Sequence, residues 1–223
     1  MFGAILFKEF LKIRWAWVAL LVLNGLLMAS IALETRHLFA VDHSEIVWYR
    51  VLHLDQFHYS SLKFAPAITG LLIAFIQYLP EMADERLRLS LHLPVSAHRI
   101  IMAHVFIGLS AVVLTIGLDL AALALLTRYY FPIEVVTSSV LTALPWGCAG
   151  LAAYLGVTLG LLEPIHRFRV FNLALAAGVT GVFFYPADTG GYSLSLPFLA
   201  LPVLLMIPAV LLPAYRFRYR RAT

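Results

Sequence analysis

The chain has 223 residues, 62% hydrophobic and 13% charged, with a formal net charge of +4. A water-soluble domain carries about 25% charge and roughly 45–50% apolar residues, so this composition excludes an ordinary soluble globular protein and points to a bilayer as the solvent. The single cysteine, Cys148, excludes an internal disulfide.

Phe2, Ile5, Leu6, Phe10 and Ile13 recur at helical spacing, with Lys8, Glu9 and Lys12 opposite. This pattern predicts an interfacial amphipathic helix over residues 1–14 that leads into the first span. Ser30-Ile31-Ala32 resembles a signal-peptide cleavage site. The apolar run before it is too long for a signal peptide and its leader carries Glu9, so the expectation is a retained segment.

Six stretches are apolar enough to cross a bilayer: Trp15 to Leu33, Phe64 to Leu79, Ile100 to Leu126, Val140 to Leu162, Val170 to Tyr185 and Leu196 to Leu212. Each crossing needs about 20 residues, fewer where the flanks snorkel. Leu, Ala, Val and Ile dominate without strand-like alternation, so the expected fold is all-α, a single transmembrane domain over 1–223 rather than a barrel. Pro145, Pro202 and Pro208 fall inside the fourth and sixth spans, where kinks are tolerated if neighbours satisfy the freed backbone groups.

Basic residues set the orientation. With both termini in the cytoplasm, Lys8, Lys12, Arg14, Arg86, Arg88, Arg99, Arg167, Arg169, Arg216, Arg218, Arg220 and Arg221 lie inside, against Arg36, Arg50, Lys63 and Arg128 outside. The C-terminal Tyr and Arg residues suit a headgroup layer, not nucleic acid.

The outer loop, Glu34 to Lys63, is too short for an independent domain. Asp42 and Glu45 have capping-box spacing, and Val47, Val51 and Leu54 would line one face of the helix that follows. His37, His43, His53 and His58 all fall in this loop. Imidazole is the commonest metal ligand, so His53 and His58 are weak metal candidates; solvated interfacial side chains are the simpler reading.

Between the second and third spans lies a charged island, Glu81 to Arg99. Asp84 to Leu93 suits a short surface helix, with Leu87 and Leu91 on one side and Glu85, Arg86 and Arg88 on the other. Pro94 ends it and Ser96 can cap the next helix. Among residues inside the spans, Asn24 and Asp119 are candidates for a transport path, because buried polar groups in membranes are functional by default. Gly147, Gly150, Gly156 and Gly160 stud the fourth span and favour close helix packing.

The sequence contains no G-x-x-x-x-G-K-[ST], H-E-x-x-H, C-x-x-C or G-x-S-x-G motif. Nucleotide binding by a P-loop and the corresponding hydrolytic or metal chemistries have no support in the chain itself.

Glu81, the closing Leu93-Pro94-Val95-Ser96 and the following Arg99-Ile100-Ile101, together with the amphipathic Met1 to Arg14, resemble the permease subunits of ABC exporters of the second class, which have a six-span type V fold. The span pattern matches along the whole chain, and the motifs cover residues 80–104. Two positions depart from the family: Glu85-Arg86 replaces a Gly-Thr step, and His104 replaces a lysine early in span three. The resemblance implies an elbow helix at 1–14 and a cytoplasmic coupling helix within 81–99. It makes Glu81, Asp84, Glu85, Arg86, Arg88, Pro94 and Ser96 the contacts to an ATPase. It further implies a cytoplasmic ABC ATPase dimer that binds ATP and Mg, a second permease chain, a lipid surround and a bacterial inner-membrane location. The chain itself would be no enzyme and hold no cofactor. The apolar path suits an amphipathic, lipid-like or hydrophobic peptide substrate. The alternative is a membrane haem- or metal-binding protein, or a haem exporter, using the outer histidines; a structural subunit without transport activity is a further rival.

Overall fold

The structure, a computed structural model, describes residues 2–54, 56–83, 96–186 and 190–219. These are helical, with no strand among them: α1 (Phe2–Val41), α2 (Ser44–His53), a 3-10 turn (Ser60–Leu62), α3 (Ala65–Ala83), α4 (Ala97–Tyr130), α5 (Ile133–Leu162), α6 (His166–Val182), α7 (Leu196–Ala209) and α8 (Leu211–Tyr219). Among the described residues, five stretches are long and apolar enough to cross a membrane: Gly3–Val41, Ser60–Met82, Ala97–Tyr130, Ile133–Leu162 and Leu196–Arg216. The stretch expected as the fifth span, α6, has only 17 residues.

α5 is the hub. It packs against α3, α4, α6 and α7, and 67% of its most apolar window is buried, against 22% for α1. Its small residues explain this position. A side chain at Gly70 of α3 would run into the carbonyl of Gly150, and one at Gly150 would meet the Pro66 carbonyl oxygen at 2.6 Å. Gly156 and Gly160 sit likewise against Ala176 and Leu173 of α6. The glycines of the fourth span thus let two neighbouring helices approach to backbone distance, as their spacing suggests.

The N-terminal helix differs from the expectation in two ways. It runs unbroken from Phe2 to Val41, so no turn separates an elbow from a span. Its faces are also mixed: Ile13 of the expected apolar stripe is buried but Phe10 of the same stripe is exposed, and Lys8 is exposed on the polar side. Glu9 is fully buried and Lys12 half-buried, while Phe7, Phe10 and Leu11 point outward. In lipid the outward surface is the apolar one, so a charged pair turns toward other polar groups in the protein.

Two smaller expectations also change. Asp42 makes no capping box; its carboxylate accepts from Arg50 at 2.6 Å, and α2 starts after His43 with no side-chain cap. Val47 and Val51 are buried against Phe131 and Val135, but Leu54 is exposed. The sixth span is split into α7 and α8 at Val210. Pro213 accounts for the break, because it cannot donate to Ala209 and its ring clashes one turn back.

Four threonine hydroxyls in the long helices bond to their own helix. Thr35, Thr115, Thr142 and Thr158 each donate to the carbonyl four residues earlier at 2.7–2.9 Å.

Candidate functional site

Where α3 ends and α4 begins, a buried polar cluster joins four helices. Glu9 of α1 lies at its centre. Its carboxylate receives the Lys12 ammonium at 2.7 and 2.9 Å and the Gln77 amide at 3.3 Å. Lys12 also reaches Glu81 of α3 at 3.0 Å, and Lys8 stands 3.7 Å from the same oxygen. Lys12 is therefore a bridge between two buried carboxylates on different helices. Such a bridge offsets the desolvation of its ions only if the remaining lone pairs are also met. Glu81 falls short of this among the described residues, where its second oxygen is buried with no hydrogen-bond partner.

His104 of α4 closes the cluster. Its Nδ1 is 2.8 Å from the Ile100 carbonyl and must carry the proton there, since a carbonyl can only accept. Nε2 therefore faces Glu9 Oε1, 3.2 Å away but out of line for a hydrogen bond. Gln77 donates to the His104 carbonyl at 2.7 Å, and Tyr154 of α5 donates to the Gln77 side chain at 2.9 Å. Gly108 makes room for this, because a side chain there would strike both Gln77 and the Tyr154 hydroxyl.

Donor atoms of Glu9, Glu81 and His104 lie within 4.8 Å of one another, a spacing that could hold a metal ion. The Lys12 ammonium already bridges both carboxylates and takes the cation's place. The arrangement is better described as an ionic pin that fastens α1 to α3 and α4.

Of the residues expected to face an ATPase, Glu81 is drawn into this pin, and Ser96 stands at the start of α4 without a side-chain cap bond. Asp84, Glu85, Arg86, Arg88 and Pro94 lie outside the described residues. Asn24 is buried between two helices. Its amide donates to the Leu20 carbonyl at 2.9 Å and to Thr69 at 3.1 Å, which ties α1 to α3. Asp119 is buried in α4 with one oxygen lacking a hydrogen-bond partner.

Among the described residues, the outer histidines join no group of three metal-type ligands. The His53 side chain lies outside the described residues. His58 is buried, stacked on Phe131 with ring centroids 5.1 Å apart and edge-on to Tyr59 at 4.9 Å. The one group of three metal-type ligands among the described residues does not include it. Burial pushes the His58 imidazole down to about 4, against about 6.5 in an unfolded chain. Between those values the unfolded chain binds the proton and the folded one does not, so stability is full above about pH 6.5 and falls toward pH 4. Thermal unfolding of the purified protein across this range should show a steeper acid decline than in His58→Phe, which keeps the stack but cannot titrate. Parallel profiles would exclude His58 as the cause.

Sequence reasoning missed Gln77, Tyr154 and the burial of Glu9. The available signal was an uncompensated polar residue in each of three apolar stretches, Gln77, His104 and Tyr154, which must find one another in a bilayer. The chain matches no protein-family model, no curated protein and no solved structure.

Proposed function

We propose that the chain is the membrane permease subunit of an ATP-driven exporter of the ABC second class, with six spans, α6 being the short fifth. It would work with a cytoplasmic ATPase dimer that binds ATP and Mg and with a second permease chain, in a bacterial inner membrane. Its substrate would be amphipathic, lipid-like or a hydrophobic peptide. The observation that carries this reading is the position of the ionic pin. Glu81 is three residues before the 84–95 segment and His104 is nine residues after it; Glu81 meets Lys12 of α1, and His104 meets Glu9 of the same helix. Motion delivered to that segment would reach α1, α3 and α4 together.

On this proposal Asp84, Glu85, Arg86 and Arg88 fit a groove of the ATPase. The double variant Glu85→Lys/Arg88→Glu should insert normally and keep its ATPase bound weakly or not at all. ATP hydrolysis would then no longer drive transport in reconstituted vesicles. Full coupled transport by that variant, or failure of any soluble ATPase to travel with the purified chain, would refute the reading.

A further inference from the structure

α6 and α7 both rest on α5, and between them runs a groove of about 340 Å³ walled by side chains such as Leu175, Leu205 and Leu212. At the end where α6 begins and α8 ends, a second hollow of about 680 Å³ opens beside Arg167 and Phe168. Asn172 and Arg216 line both, so the two adjoin and are taken together as one trench. One end of this trench is basic and the rest is apolar.

The basic end is built. Arg216 donates through Nη1 to the buried Glu163 carboxylate at 2.9 Å, and its guanidinium lies 4.7 Å over the Phe168 ring. A guanidinium carries five N–H donors in a fixed fork, so one such bond leaves the fork able to grip a second anion. Arg169 donates to the Glu163 main-chain carbonyl at 2.9 and 3.1 Å, which leaves its charge uncancelled. Arg167 is exposed and has no partner among the described residues. Among the described lining residues, Arg167 and Arg216 against the single Glu163 leave the mouth with a surplus positive charge.

We propose that this trench binds an anionic phospholipid, with the phosphate between Arg167 and Arg216 and the acyl chains along the α6–α7 wall. A phosphate alone would have no use for the apolar length of the groove. A zwitterionic headgroup would bring its own cation against the surplus positive charge. A second copy of the chain would have to present a carboxylate at this height to discharge the arginines. Basic pockets beside spans favour anionic headgroups for the same electrostatic reason. The inference does not depend on the transport reading.

The test is thermal unfolding of the full purified chain in detergent, titrated with palmitoyl-oleoyl phosphatidylglycerol, with the corresponding phosphatidylcholine, or with inorganic phosphate. Phosphatidylglycerol should raise the midpoint at several-fold lower concentration than phosphatidylcholine, and phosphate alone should not reproduce the shift. Arg167→Gln should raise the half-effect concentration of phosphatidylglycerol about fivefold, the effect of one arginine near a charged headgroup. Leu205→Trp, which fills the groove, should weaken both lipids. Arg216→Gln also breaks the Glu163 pair, so Arg167→Gln is the deciding variant. Equal stabilisation by both lipids, an unchanged Arg167→Gln, or a full shift with phosphate alone would overturn the proposal. So would a dimer of the chain that excludes lipid from the groove.

Discussion

Replacing Glu9 with alanine should lower the stability of the folded protein by about 3–5 kcal/mol, the usual cost of stranding a buried charge partner. The carboxylate is fully buried and meets Lys12, Gln77 and the His104 ring. Its removal leaves the Lys12 ammonium with Glu81 as its one close carboxylate among the described residues, takes an acceptor from the Gln77 amide and turns the His104 ring edge toward a methyl group. Glu9→Gln keeps the shape and should lose less. The pair Glu9→Gln/Lys12→Met should recover a share of the loss, because removing both ions also removes the desolvation cost. Denaturant or thermal unfolding in detergent measures all three. A Glu9→Ala protein within about 0.5 kcal/mol of the parent, the range of an inconsequential surface change, would mean that the pin holds nothing.

Gly70→Ala should be comparably damaging for a different reason. The added methyl would occupy the space of the Gly150 carbonyl, and a main-chain atom cannot step aside as a side chain can. α3 and α5 must separate along their contact, at a cost of about 3 kcal/mol or more. Gly25→Ala is the control. It also places a methyl in a membrane helix, but nothing lies within 4 Å, so the change should be neutral or stabilising by up to about 1 kcal/mol through helix propensity. If both variants unfold at the same midpoint, the close approach of the two helices is not what holds the hub together.

Much of the helical layout is legible in the apolar runs, because a bilayer demands length and internal hydrogen bonding and little else. The glycines of α5 are legible for a related reason: between helices in lipid, small size is itself the means of attraction. The partners of polar groups are not legible. Lys8, Glu9 and Lys12 sit opposite an apolar stripe, which in water would place them on the surface; here Glu9 and Lys12 turn inward while Phe10 of the stripe faces outward. Asp42 is three residues before Glu45, yet it is taken by Arg50, since a charged fork outcompetes a backbone cap. Asn24 stands out as a polar residue inside a span, but nothing in the sequence names Thr69 as its partner. Pairings across 45 to 77 residues, such as Asn24 with Thr69 and Gln77 with Tyr154, depend on how helices are rotated against each other, and periodicity alone does not fix that rotation.

The unbroken course of α1 has a mechanical consequence. Forty residues without a proline make a rod of about 60 Å at 1.5 Å per residue. A tilt of about 5° around the Lys12–Glu81 contact would sweep its far tip sideways by roughly 4 Å, by simple trigonometry on that rise. A shift of about 1 Å at the short end of the rod would thus arrive at the opposite rim of the bundle as a displacement wide enough to pull a packed pair of side chains out of contact.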